Sequence, residues 1–268
     1  MSPSNDRAVT VPGLRRAAGA AAAALMLTSL GLTGCGIVKA SKNDVHAVPN
    51  NAKNVMHAVQ NNKAITGQFT GQLQSGEARP FEVTYVTTGT FPLTVVYAVK
   101  PPAGLAFKET QPGSSGNVPS VDIVANSSGE YSCSRLPSSV SALSSRWSCW
   151  KLGPVSAAAE NKIFAFYTPA HWVAFLNHFS LVAGFAGDQV TSSTMTVNGF
   201  SLHCVDFTAP GLSGTSTICS TAQGILGYVK VASAATGFEI KAYSASPPAS
   251  LFELPPGAKI TTPKQAAG

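Results

Sequence analysis

Apolar residues recur with two different periods along this chain, and the change of period divides it. From Phe81 onward, short segments alternate apolar and polar residues as half-buried strands do. Phe81, Val83 and Tyr85 alternate with Glu82 and Thr84. Residues 93–99 form the next such segment, closed by Pro101-Pro102, and 105–109, 121–124, 131–135 and 147–152 follow, separated by Gly, Pro, Ser and Asn clusters. Consecutive strands of this kind predict an antiparallel meander. Residues 65–73 alternate weakly and are assigned to the same β region. Ahead of them, Ala52, Val55, Met56, Ala58 and Val59 lie at near-helical spacing and predict a short amphipathic helix over 50–62.

Between 155 and 184 the period lengthens. Thr168-Pro169 offers a helix cap followed by proline at the first helical position. Beyond it Trp172, Phe175, Leu176, Phe179, Val182 and Ala183 are spaced as one stripe of a helix of about four turns, ending near Gly184. Strand alternation resumes at 190–197, 200–207, 216–219, 225–231 and 238–243. A helix, a group of strands, an aromatic helix and a second group of strands predict an α+β domain over 50–262. In that order the aromatic helix can plug a curved sheet. Residues 263–268 read as a loose tail.

The first 34 residues have a different character. Arg7, Arg15 and Arg16 precede an uncharged run from Ala17 to Gly34, which leads into Leu32-Thr33-Gly34-Cys35. A cationic start, a short apolar middle and small residues before a cut define an export signal. Small residues directly before a cysteine resemble a bacterial lipobox, which implies cleavage after Gly34 and lipidation of Cys35. Eighteen uncharged residues rich in Ala and Gly are marginal for a spanning helix, which needs about 20 apolar residues. Arg15-Arg16 leaves the general and twin-arginine export routes both open. Residues 35–49 then read as the lipidated cysteine and a flexible tether. Two or three acyl chains hold a protein stably on a membrane. The expected location is the extracytoplasmic face of the cell membrane.

Removing the signal takes away three basic residues and one acidic one, so the net charge falls from +6 to +4. No dense Lys/Arg run exists, and nucleic-acid binding is not expected. Four cysteines remain: Cys133, Cys149, Cys204 and Cys219. An even number in an exported chain reads as disulfides. Of the three possible pairings, Cys133–Cys149 and Cys204–Cys219 are favoured, because each brackets one local strand pair. The alternative, a zinc site, usually places two cysteines within a few residues of each other.

Catalytic motifs are missing or incomplete. His171 and His178 lie seven residues apart, about 10.5 Å of helical rise, too far to share a metal ion. Ser148-Cys149-Trp150-Lys151 matches Ser-x-x-Lys without its companion motifs and beside an expected disulfide. His46, His57 and His203 lack a neighbouring acid-and-nucleophile pattern. Neither an enzyme nor a bound cofactor or metal is expected.

The chain resembles the lipoprotein-carrier superfamily of LolA-like and LppX-like proteins, and in particular its small actinobacterial-type lipoproteins. The resemblance rests on the lipobox, the first helix leading into Ile65-Thr66-Gly67-Gln68-Phe69, and the strand motifs Tyr131-Ser132-Cys133 and Trp147-Ser148-Cys149. It rests also on the Thr168-Pro169 helix, on Gly199-Phe200-Ser201-Leu202-His203-Cys204 and on the closing Phe252-Glu253-Leu254-Pro255-Pro256-Gly257-Ala258. It implies a strongly curved antiparallel sheet, an incomplete barrel covered by helices, with a cavity that takes acyl chains or lipidated cargo. Phe164, Phe166, Trp172, Phe175, Leu176 and Phe179 are the candidates to line it, and ordinary core packing is the alternative reading of the same stripe. A protein-interaction or sensor-regulating module without a cavity is the alternative, and no protein partner is legible.

Overall fold

The computed structural model describes residues 48–89, 92–110, 120–135, 147–153, 162, 164–186, 190–208, 214–232, 234 and 237–262. Cys35, the signal segment, the tether up to residue 47 and the 263–268 tail lie outside the described residues. Two α-helices occur among the described residues: α1 (Val48–Glu77) and α2 (Pro169–Ala186). Helix α1 takes in the last two residues of the expected tether. Twelve strands form one sheet: β1 (Phe81–Thr87), β2 (Thr94–Lys100), β3 (Gly104–Thr110), β4 (Ser120–Asn126), β5 (Gly129–Arg135), β6 (Ser148–Lys151), β7 (Val190–Val197), β8 (Phe200–Phe207), β9 (Ser216–Thr221), β10 (Leu226–Lys230), β11 (Phe238–Ser244) and β12 (Lys259–Thr261).

The strand order is β12-β6-β5-β4-β3-β2-β1-β11-β10-β9-β8-β7. Strands β1 to β6 form one meander and β7 to β11 a second, and the antiparallel β1–β11 pair joins them. The result is α+β with a large, curved sheet that does not close, as β12 and β7 remain its two edges. The expected meander and its second half are present, and β12, parallel to β6, is an addition that a three-residue segment did not announce.

The weak alternation at 65–73 is helical instead. Helix α1 continues through it to Glu77, and its buried positions are Asn62, Thr66, Phe69, Thr70, Leu73 and Gly76. These recur at helical spacing, but half of them are polar, so the apolar pattern concealed the stripe. Two of the hydroxyls are satisfied within the helix: Thr66 Oγ1 donates to Asn62 O at 2.8 Å and Thr70 Oγ1 to Gly67 O at 3.2 Å. Asn62 Oδ1 accepts the Val190 N–H at 3.0 Å and so caps the start of β7. Of the apolar residues used to predict the first helix, Val55, Ala58 and Val59 are half-buried and Met56 faces solvent.

Alternation sorts the strands into two sides. Tyr85, Tyr97, Phe107, Ile123, Phe207, Ile218, Val229 and Phe238 face the helices and belong to one core. The outer side has a cover of its own. Phe252 packs on Ala98 and Ala106, and Leu254 and Ala258 pack around Tyr131 and the Cys133–Cys149 disulfide. Asn126 Nδ2 donates to Phe252 O at 2.9 Å, and Lys259 N–H to Trp147 O at 2.9 Å, so the closing Phe252–Ala258 segment is strapped across the sheet. At the other end, the β7–β8 hairpin turns on Asn198 and Gly199, both at positive φ, as a two-residue Asn-Gly turn requires. Its tip reaches β11, where Asn198 Nδ2 donates to Ile240 O at 2.8 Å.

Both favoured disulfides are present. Cys133 faces Cys149 across β5–β6, and Cys204 faces Cys219 across β8–β9. Their sequence separations are 16 and 15. On the chain-entropy account each such loop contributes about 3 kcal/mol. Replacing Cys204 and Cys219 together by Ala should therefore lower unfolding free energy by about 3 kcal/mol in urea melts. Gly224 (φ +79°) is a second tight point: a β-carbon there would collide with Gln72 O of α1. Gly224→Ala should cost about 2–4 kcal/mol, measured the same way, while Gly199→Ala, with open space around it, should cost less.

Candidate functional site

The six residues expected to line a cavity are brought together at the helix–sheet interface. Phe164 enters at the end of the segment before a 3-10 turn (Ala165–Tyr167), and that turn delivers Phe166 and Tyr167 to the sheet just before α2 begins. Trp172 Nε1–H donates to Phe166 O at 2.7 Å, which fixes the indole against the turn. Trp172 and Leu176 are 2 % and 0 % exposed, Phe164 and Phe179 are buried, and Phe166 and Phe175 are half-buried.

Rings from α2 and the turn meet rings from the sheet. Phe164 stacks on Phe107 at 5.0 Å between centroids. Phe166 meets Trp172 edge-on at 5.3 Å and Phe238 at 5.4 Å. Phe179 and Phe175 lie 4.6 and 5.5 Å from Phe207. Offset and edge-on pairs at such spacings are attractive contacts. The described side chains are thus in contact with one another.

The stripe itself needs one correction. Val182 is 45 % exposed. Ten residues beyond Trp172 is a rotation of about 280°, off the stripe centre, whereas Ala183, at about 20°, is buried. Conversely Val173 and Ser180 are buried, because α1 packs along that flank of α2. Apolar periodicity could not have found Ser180. Helix α2 contains no Asp, Glu, Lys or Arg in 18 residues, and its exposed positions among the described side chains are Ala170, Ala174, Asn177, His178 and Val182.

Most of the sheet's cations, Lys100, Lys108, Arg135, Lys151 and Lys230, alternate onto the outer side; Lys259, on the edge strand β12, pairs with Ser148 and so lies on the helix side, exposed and four strands away from Glu109. On the outer side Lys108 Nζ lies 4.0 Å from Asp122 Oδ2. Burial pushes the Asp122 carboxyl up to about 6, against the pull of Lys108 and Arg135. On the helix side, Glu109 shares a row across the strands with Val95, Val121 and Tyr85. Burial raises its carboxyl above the usual range. Tyr167, stacked 6.1 Å from Tyr85, is pushed up to about 12 by burial and by the charge of Glu109. Glu77, raised by burial, accepts a long hydrogen bond from the Tyr97 hydroxyl at 3.5 Å. Of the histidines, His171 lies edge-on to Trp172 at 5.0 Å and burial lowers its pKa, and no group of three or more metal-ligating residues occurs among the described residues. A separate open depression of about 320 Å³ lies on the outer side between Lys100–Gly104, Asn126 and Phe252.

No protein-family model and no curated protein matches the chain. Among solved structures, the crystal structure of an uncharacterized conserved protein from Thermus thermophilus aligns with a TM-score of 0.42 at 6% identity. The alignment covers 73% of this chain and 98% of that one. At this level it assigns neither a fold family nor a function.

The raised pKa of Asp122 fixes the sign of its effect on stability. The folded state holds this proton more tightly than the unfolded chain, so its stabilising contribution is present below about pH 4 and is lost as pH rises through about 6. Asp122→Asn should therefore raise unfolding free energy at pH 8, by up to about 3 kcal/mol, and change little at pH 4. Thermal melts of both proteins across that range measure it.

Proposed function

We propose that this protein is an exported lipoprotein of the LolA-like/LppX-like carrier type, anchored in the cell membrane through Cys35 on the extracytoplasmic face. Its folded domain would hold a lipid or other amphiphile between α2 and the open curved sheet. The observation that carries the reading is the character of α2: a surface helix without a charged residue in 18 positions, lying over an aromatic sheet face. A helix that only seals a core is normally polar on its outer face, whereas an uncharged one tolerates lifting toward a greasy guest or a lipid surface. Because the rings beneath it touch, binding on this reading is coupled to a movement of α2. No described helix is long and apolar enough to cross a membrane, so attachment is assigned to acyl chains on Cys35. The two disulfides favour an oxidising compartment. No catalytic step is assigned.

A second reading, a protein-interaction module, draws on Trp150 and Ile260, which are 53 % and 52 % exposed on opposite faces of the neighbouring strands β6 and β12. Large apolar side chains at a sheet edge suit a protein partner.

Two measurements test the first reading. Cells grown with labelled palmitate should label the wild-type chain, and Cys35→Ser should abolish the label and release the protein from membranes. Native mass spectrometry of the Cys35→Ser chain should find a bound amphiphile, and a neutral fluorescent hydrocarbon probe should displace it. A chain that carries no amphiphile and refuses the probe defeats the carrier reading.

A further inference from the structure

The carrier reading leaves the guest's head group open, and the charge pattern of the sheet narrows it. Glu109 lies on the helix side of β3, two residues beyond Phe107 and in one cross-strand row with Val95 and Tyr85. It is half-buried and makes no hydrogen bond or ion pair among the described residues. Glu130, the other acid of strands β1–β11 on that side, has contacts of its own. The cations Lys100, Lys108, Arg135, Lys151 and Lys230 are turned to the opposite side, and Lys259, which shares the helix side, lies four strands away on β12, exposed and without an ion pair to Glu109. Lys162, ahead of the aromatic turn, and Lys241, in the irregular part of the β1–β11 pairing, are exposed. A desolvated carboxylate without a counter-charge is costly to keep, and nothing in the packing of the sheet calls for it.

Next to this acid stands an aromatic group. Tyr167 stacks on Tyr85 at 6.1 Å and lies 5.2 Å from Phe238, with Phe166 edge-on to Tyr167 at 5.7 Å. Tyr167 and Phe166 keep part of their surface open. Glu109 shares its row with Tyr85, on which Tyr167 stacks, and its face with Phe107, on which Phe164 stacks at 5.0 Å, so the carboxylate stands on the sheet face these rings cover. Aromatic faces beside one carboxylate are the chemistry that recognises a substituted ammonium. From these observations, and resting on the carrier reading above, we infer that Glu109 and Tyr167 receive the cationic head of an amphiphile whose hydrocarbon part runs along Phe166, Trp172 and Phe175.

The test uses the full chain carrying Cys35→Ser and three probes with the same twelve-carbon tail, each below its micelle concentration: dodecyltrimethylammonium, dodecyl maltoside and laurate. Titration calorimetry should give dodecyltrimethylammonium the tightest binding, about ten-fold or more ahead of laurate. Glu109→Gln should remove most of that preference, weakening dodecyltrimethylammonium about ten-fold more than dodecyl maltoside. The wild-type ranking alone decides the matter if the variant does not fold. Equal affinity for all three heads, or a preference for laurate, overturns the head-group inference and leaves the carrier reading standing. Failure of all three to bind overturns the carrier reading, and this inference with it.

Discussion

The antiparallel pairing of β1 with β11 is the contact on which the rest of the molecule depends. It sets Glu82 against Ser244 and Thr87 against Phe238, residues from opposite ends of the domain. Without it there are two separate meanders, each with an unpaired edge strand inside the core. With it the two groups become one sheet, and α2, which lies between them in sequence, is confined to the face they share. The β1–β11 pair also brings Tyr85 and Phe238 to 4.6 Å, so the aromatic cluster exists only after the most distant strands have met. Closing so long a loop is entropically costly, and local disulfides do not offset it, since both lie within one meander each. Apolar burial beneath α1 and α2 therefore has to drive the closure.

The two sides of the sheet are used differently. The outer side is sealed locally, by a strap of Pro, Gly and small apolar residues at one end and by a hairpin tip at the other. It also holds most of the strand cations, which can reach solvent past so thin a cover. The helix side is sealed by two helices of unlike composition. Helix α1 packs through Phe69 and Leu73 and also through Asn62, Thr66, Thr70 and Gly76, whose small side chains allow close approach and whose polar atoms find partners in its own backbone or at the start of β7. Helix α2 packs through large aromatic rings and carries no charge. A rigid, hydrogen-bonded partner thus lies beside one held mainly by dispersion and burial. If either helix moves relative to the sheet, the physics favours α2.

That contrast bears on how a guest could be accommodated. Ring–ring contacts are short-ranged but not directional in the way hydrogen bonds are, and an acyl chain offers the same rings a comparable apolar surface. Exchange of one apolar neighbour for another costs far less than breaking the Asn62–Val190 hydrogen bond in α1. The same logic makes an isolated carboxylate conspicuous: Glu109 is neither dispersive nor paired, and it sits where the aromatic turn meets the sheet.

Strands β1 to β11, the two-group organisation, the aromatic helix and the pairing of the cysteines were legible in the order of residues, because each depends on neighbours within about twenty positions, whereas 65–73 reads as part of the β region and is helical. Alternation names a strand, a cap and proline name a helix start, and a cysteine pair bracketing a hairpin meets across it. The length of α1 was not legible, because its buried stripe is Asn, Thr, Thr and Gly as much as it is apolar. Neither was the burial of Ser180, which depends on α1 lying alongside, nor β12, which is too short to carry a pattern. Chain order determined which rings would travel together into the core. Only the tertiary structure decided that they would touch, since Tyr85 and Phe238 meet through the pairing of strands from opposite ends of the domain.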